Sequence, residues 1–105
     1  MTRGARGSKT KDEMMKRYLI ERDIPNVGNL NHAQLKELAA TSNNALAKLS
    51  GRVQWIRSFI AADRTFCNYL AESEVLVREH SRLAGFPITK ITEVPTVIGP
   101  MTAYD

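Results

Sequence analysis

The sequence predicts one small α+β domain with its elements in the order β-α-β-β-α-β. The length of 105 residues fits a single domain. Short apolar segments rich in β-branched and aromatic residues alternate with longer segments whose apolar residues recur about every 3.6 positions. Gly, Pro and Asn interrupt the chain between these segments. The predicted strands cover 16–22, 53–61, 65–71 and 90–98, and the predicted helices cover 31–49 and 74–84.

The first segment of the chain differs in composition from the rest. Apart from Met1, residues 1–13 hold no large apolar side chain. Such a segment cannot bury enough surface to offset the entropy of ordering it. We therefore expect a flexible tail over 1–13 and a domain over 14–105. In the first strand, Tyr18 and Ile20 fall on the same face.

The first helix is predicted from one apolar stripe, and either Asn29 or Asn31 can cap its start. Gly51 follows the last leucine, as a residue that ends a helix should. Ser42 lies on the stripe, and we expect its hydroxyl to bond back to the carbonyl one turn earlier. The stripe comprises Leu35, Leu38, Ser42, Ala45, Leu46 and Leu49.

The second and third strands are predicted to form a hairpin that turns at residues 62–64. Strict alternation in the second strand would place Trp55 and Phe59 on one face, and Ile56 and Ile60 on the other. The second helix is predicted to begin after Ser73, a capping residue, and to stop at Gly85.

The fourth strand contains Pro95, which has no amide hydrogen and therefore favours a sheet edge or a bulge. Two β-α-β units joined by a hairpin give the ferredoxin-like sandwich, an antiparallel four-stranded sheet with both helices on one face. The other sheet face is then bare although its strands carry large apolar residues. A homodimer formed through the sheets or their edges would cover it.

Charge and composition argue against several classes of protein. The net charge is +4, but half of this excess lies in residues 1–13, and the rest of the chain shows no basic cluster. We therefore expect no nucleic-acid partner. Cys67 is the single cysteine, so no intramolecular disulfide can form. No apolar run is long enough to span a bilayer. These features predict a soluble cytoplasmic protein without a membrane partner.

Two side chains are the main candidates for chemistry. The apolar residues around His80 on the helical wheel direct it towards the sheet. Cys67 lies in the middle of the third strand on the same face as Thr65 and Tyr69. If that face packs on the helices, the thiol and the imidazole can meet, and such a pair binds soft or borderline divalent metals or activates the thiol. The alternatives are a hydrogen-bonded core histidine and an inert buried thiol.

Glu21 and Glu93 are candidates for further ligands, because both lie in strands between apolar residues. The candidate metal set is therefore His80, Cys67, Glu93 and Glu21. Glu79 and His32 are expected to be solvated surface residues. Paired-cysteine zinc spacings, phosphate-binding glycine loops and nucleophile elbows are absent from the sequence.

Several segments resemble a known family, the domain-of-unknown-function 4242 family. The resemblance covers about residues 15–102, and its most specific parts are Phe66-Cys67, Glu79-His80 before Gly85-Phe86-Pro87, and Glu93-Val94. Some members are described as small nickel-binding proteins, and the family is similar to dimeric ferredoxin-like proteins. The resemblance implies nickel or another divalent transition metal as a cofactor and a homodimer as the assembly.

Three functions are consistent with these observations. The first is a homodimeric binding protein that holds a transition metal or a small ligand between sheet and helices. The second is a small cofactor-independent enzyme of the monooxygenase or isomerase type, with His80 as acid or base beside a closed apolar pocket. The third is a purely structural domain without a ligand.

Overall fold

A computed structural model describes residues 15–105 and confirms the α+β, ferredoxin-like fold. The expected tail over 1–13 lies outside the described residues. The strands are β1 (Lys16–Asp23), β2 (Val53–Ile60), β3 (Arg64–Ala71) and β4 (Lys90–Val94), and the helices are α1 (His32–Ala47) and α2 (Glu74–Ala84). Short 3-10 turns cover Val27–Asn29 and Pro100–Tyr104.

The sheet is antiparallel and its strand order is β2-β3-β1-β4. The two central strands pair along their whole length, with Tyr18 opposite Tyr69 and Ile20 opposite Cys67. These four side chains are buried with Val77 of α2. The core therefore lies between the helices and this face of the sheet, which we call the inner face.

The start of α1 is fixed by a reciprocal capping box, which decides between the two predicted caps. The amide of Gln34 donates to Asn31 Oδ1, and the amide of Asn31 donates to Gln34 Oε1, each over 2.9 Å. On the predicted stripe, Ser42 and Ala45 are buried, whereas Leu35 and Leu38 are only half-buried. The amino-terminal half of α1 thus packs less closely on the sheet than its carboxyl-terminal half does.

The helix α2 has the predicted bounds. The Ser73 hydroxyl accepts a hydrogen bond from the amide of Leu76 at 3.4 Å, and Gly85 ends the helix with a φ of 76°. A left-handed backbone conformation is accessible to glycine without steric penalty. The buried residues Val77, His80 and Ser81 face the sheet, as the helical wheel predicts for His80.

The alternation predicted for β2 is wrong beyond Trp55, because a register shift lies between Trp55 and Arg57. The extra residue makes Ser58 pair with Cys67 and Ile60 with Thr65 on the inner face. Phe59 pairs with Phe66 on the other face, away from Trp55. Periodicity cannot reveal a bulge, since one inserted residue exchanges the two faces of everything that follows.

The fourth strand is shorter than predicted, because it ends at Val94 instead of residue 98. Pro95 follows at once and cannot donate to a ladder. The prediction that this strand lies at an edge is confirmed by the strand order. Among the described residues, no helix is long and apolar enough to cross a membrane.

Candidate ligand-binding cavity

A cavity of about 230 Å³ lies between α1 and the inner face of the sheet. It is lined by four groups of side chains, from α1, β2, the two central strands and the connecting segments. These are Leu35, Leu38, Ala39 and Ser42; Trp55, Ser58 and Ile60; Arg22, Thr65, Cys67 and Tyr69; and Ile24 and Phe86. Most of this lining is apolar, and Arg22 is its one charged member among the described residues.

The cavity exists because small residues meet where the helix stands away from the sheet. The bulge in β2 brings Ser58 to the inner face, where a regular ladder would have placed Arg57 and Phe59. The Trp55 indole nitrogen donates to Ser58 Oγ over 2.9 Å, which holds the ring along the wall. Ala39 and Ser42 are small residues on the facing helix. Space therefore remains between α1 and β2.

Arg22 reaches the cavity because it continues the inward alternation of Tyr18 and Ile20 along β1. It is only 2 % exposed. Its Nη1 donates to Ser81 Oγ over 2.9 Å and to the Pro87 carbonyl over 2.8 Å. Its Nη2 donates to the Tyr69 hydroxyl over 3.3 Å.

Two aromatic rings flank the guanidinium of Arg22. Its central carbon lies 5.3 Å from the Phe86 ring centroid and 5.9 Å from that of Tyr69. Cations are attracted to aromatic faces at such distances. These rings partly offset the loss of water around the charge, but they do not neutralise it.

Tyr69 links Arg22 to the helices. Burial raises the pKa of its hydroxyl, while the positive charge of Arg22 and hydrogen bonds from Arg22 and Ser42 act in the opposite direction. The Tyr69 ring also lies against the His80 ring, with centroids 5.2 Å apart. Tyr69 therefore stays a neutral hydroxyl that joins the guanidinium to a second polar group on α1.

His80 lies behind this pair and is completely buried. Its Nε2 is 3.2 Å from Ser42 Oγ and 3.4 Å from the Ser42 carbonyl oxygen. Burial lowers the pKa of His80, the hydrogen bond to the Ser42 carbonyl raises it, and the charge of Arg22 lowers it further. The hydroxyl of Ser42, expected to bond back within its own helix, is thus part of an interhelical contact.

Within residues 15–105, the structure does not gather the four residues of the predicted metal set into one ligand group. Cys67 is buried on the inner face and lines the cavity, with Sγ 3.5 Å from Thr65 Oγ1. Glu21 lies on the opposite face, where it forms an ion pair of 3.0 Å with Arg64. Glu93 is exposed on β4 opposite Tyr18.

Glu93 affects its neighbour electrostatically. Burial raises the pKa of Tyr18, and the negative charge of Glu93 adds to this effect.

His80 is the fourth member, and it is not among the side chains that line the cavity. Within residues 15–105, no group of three or more His, Cys, Asp or Glu side chains is placed so as to hold a metal ion. Glu79 and His32 lie where the sequence predicts. The Glu79 carboxylate accepts from Arg82, which lowers its pKa, and His32 is exposed.

Sequence reasoning overlooked Arg22 and Tyr69 as site residues. A signal for Arg22 was present, because it follows Tyr18 and Ile20 at the two-residue spacing of one strand face. A charged residue that continues an apolar face is unusual unless it is paired or functional. The contribution of Ser58 depends on the bulge and has no such signal.

Fold and site together define a ferredoxin-like domain with a part-apolar cavity between one helix and its sheet. The chain belongs to the family described as nickel responsive protein SCO4226-like, whose model matches residues 18–94. This match supports the nickel-related family that the sequence resembles, but not the label domain-of-unknown-function 4242 in particular.

A similar solved structure is the crystal structure of SCO4226 from Streptomyces coelicolor A3(2). The two chains superpose with a TM-score of 0.62 at 17% sequence identity, over 78% of this chain and 99% of that one. At this identity the likeness shows the fold alone. No curated protein matches the chain significantly.

Proposed function

We propose that the protein is a non-catalytic binding protein that holds one small molecule in the cavity between α1 and the sheet. The observation that carries this proposal is the cavity of about 230 Å³, with apolar walls and a hydrogen-bonded polar cluster at one end. Ligand sites commonly combine a mostly apolar lining with a few placed polar groups. A cavity retained only by imperfect packing would not require a buried arginine.

The size of the cavity limits the ligand. An engineered apolar cavity of about 150 Å³ holds one benzene molecule. A volume of about 230 Å³ therefore holds a compound of roughly nine or ten non-hydrogen atoms. This is smaller than most drug-sized ligands, whose pockets exceed about 300 Å³.

The lining favours binding over catalysis. No Asp, Glu or His side chain lines the cavity in the described part of the chain. His80 is a nearby group that could act as an acid or a base. However, Ser42 and Tyr69, which line the cavity, lie against its ring. An acid or base must come within hydrogen-bonding reach of the reacting proton. We therefore assign His80 to positioning Ser42 rather than to a reaction.

The family description raises nickel as an alternative ligand. Nickel(II) favours imidazole and accepts thiolate, but Glu21 and Glu93 do not join Cys67 and His80 within one described chain. The residues present thus do not fit a nickel site of the predicted composition. If the wild type bound Ni²⁺ and the His80→Ala variant did not, the small-molecule proposal would be overturned.

We also propose a homodimer formed through the sheet face opposite the helices. Phe59 is 58 % exposed on this face, beside the half-buried Phe66. The edges are less suitable for pairing, because a bulge interrupts β2 and Pro95 ends β4. Further apolar side chains are exposed near the carboxyl terminus: Val97, Ile98, Met101 and Tyr104.

The cavity proposal is tested with a matched pair of helix variants. Ala39→Leu adds a large side chain to the cavity lining, whereas Ala40→Leu adds the same side chain at the exposed neighbouring position. Binding of benzamide and benzoate, each of nine non-hydrogen atoms, is followed by amide chemical shifts in NMR spectra.

We expect shifts at cavity-lining residues in the wild type and in Ala40→Leu, and their loss in Ala39→Leu. If neither compound bound the wild type and Ala39→Leu raised the thermal stability, the cavity would be a simple packing defect. That result would overturn the proposal.

A further inference from the structure

We propose that the ligand is a small monoanion, a carboxylate on an apolar body, and that Arg22 binds its charged group. This inference rests on the proposed binding function and specifies the chemical class of the ligand. Its basis is the placement of Arg22 at the polar end of the cavity and the hydrogen-bonding capacity that Arg22 has left unused.

The charge of Arg22 is not compensated within the described residues. Its partners are the Ser81 hydroxyl, the Pro87 carbonyl and the Tyr69 hydroxyl, all of which are neutral. None of the ion pairs formed by residues 15–105 includes Arg22. A buried charge without a counter-ion is costly, and proteins rarely keep one without a use for it.

The neighbouring carboxylate cannot supply the missing charge. Glu21 precedes Arg22 in β1, so its side chain points to the opposite sheet face. There the carboxylate pairs with Arg64, which also contacts Asp23. The counter-ion of Arg22 must therefore come from outside the described chain, and the adjoining cavity is the space available for it.

Arg22 has more N–H donors than partners within the described residues. Arginine carries five N–H groups in a planar fork. The two on Nη1 donate to Ser81 and Pro87, and one on Nη2 donates to Tyr69. The second hydrogen on Nη2 and the Nε hydrogen remain, and Nε is buried without a hydrogen-bond partner. A carboxylate can accept from two N–H groups of one guanidinium at once.

The remaining lining determines the rest of the ligand. Arg22 is the one charged residue among the described lining side chains, so a single negative charge is matched and a polyanion is not. Leu35, Leu38 and Trp55 contribute apolar walls. They suit a compact hydrocarbon or aromatic body attached to the carboxylate.

The test compares three probes of almost equal shape: benzoate, neutral benzamide and cationic benzamidine. Isothermal titration with the wild type should show benzoate binding roughly ten- to a hundred-fold more tightly than benzamide. Benzamidine should bind more weakly than benzamide. Equal affinity for benzoate and benzamide would overturn the inference.

Variants at Arg22 localise the effect. Arg22→Met keeps the length and apolar stem of the side chain but removes the charge, and it should abolish the preference for benzoate. Arg17→Met removes an arginine from the opposite face of the same strand and should leave the preference unchanged. Loss of the preference in Arg17→Met, or its survival in Arg22→Met, would overturn the inference.

Two further comparisons keep the outcomes distinct. If Arg22→Met does not fold, Arg22→Lys replaces it. Lysine keeps the charge but not the planar fork, so the preference should fall without vanishing, and an unchanged preference would count against the inference. If both probes bind equally and Ala39→Leu abolishes both, the cavity proposal holds and the anion inference fails. If neither probe binds, both fail.

Discussion

The buried imidazole of His80 predicts a loss of stability in mild acid. Its pKa is lowered in the folded protein, chiefly by burial. In the unfolded chain the same group titrates near its ordinary value of about 6.5. Between these two pKa values the unfolded chain binds more protons than the folded protein, so acidification favours unfolding. Above both values the contribution of His80 does not depend on pH.

The magnitude follows from proton linkage. One proton taken up on unfolding changes the free energy of unfolding by at most about 1.4 kcal/mol per pH unit. The wild-type protein should therefore lose stability as the pH falls below about 6.5, with a slope approaching this limit. The loss stops once the pH falls below the lowered pKa of the folded protein.

Urea denaturation between pH 8 and pH 5 measures this dependence. His80→Gln keeps an amide that can reach Ser42 but cannot be protonated in this range, so its slope should be clearly smaller. His32→Gln replaces an exposed histidine and should retain the wild-type slope. Equal slopes for the wild type and His80→Gln would contradict this assignment to His80, as would a wild type that gains stability on acidification through this range.

Three further predictions concern packing and assembly, each checked against a matched control. Gly28→Ala should destabilise the domain by about 1–3 kcal/mol in urea denaturation, because a Cβ there would lie 2.7 Å from the Ala61 carbonyl oxygen. The control is Gly99→Ala, whose Cβ would meet nothing within 4 Å and which should have little effect on stability. Val77→Ala should cost about 2 kcal/mol or more by the same measurement, because Val77 is fully buried in the core, whereas Val75→Ala, at a position 73 % exposed, should be near neutral. Phe59→Lys should shift a dimer to monomers in light scattering coupled to gel filtration, while Val75→Lys should not; an unchanged mass for Phe59→Lys would contradict the proposed dimer face.

Much of the fold could be predicted because local signals agreed with tertiary packing. The helix caps at Asn31 and Ser73 and the stop at Gly85 fix their boundaries through hydrogen bonds made within a few residues. Pro95 correctly indicated an edge strand, although the strand ends before it. Here the missing amide hydrogen terminated pairing instead of interrupting it.

The candidate site was harder to predict because it depends on contacts between distant segments. The inward orientation of His80 and the shared face of Cys67 and Tyr69 could be predicted from helical and strand periods. The contact between Ser42 and His80 could not, because it depends on how the two helices pack. The sequence also directed attention to metal ligands, whereas the unpaired cation at Arg22 carries no motif.

The bulge in β2 also bears on how a ligand enters and leaves. It interrupts the ladder of an edge strand whose residues line the cavity together with the half-buried Leu35 and Leu38 of α1. Separating α1 from β2 breaks few contacts, while β1 and β3 remain paired along their length. Amide hydrogens of β2 and early α1 should therefore exchange with solvent faster than those of the central strands. Residence time in the cavity would then be set by local opening of one wall, without unfolding of the domain.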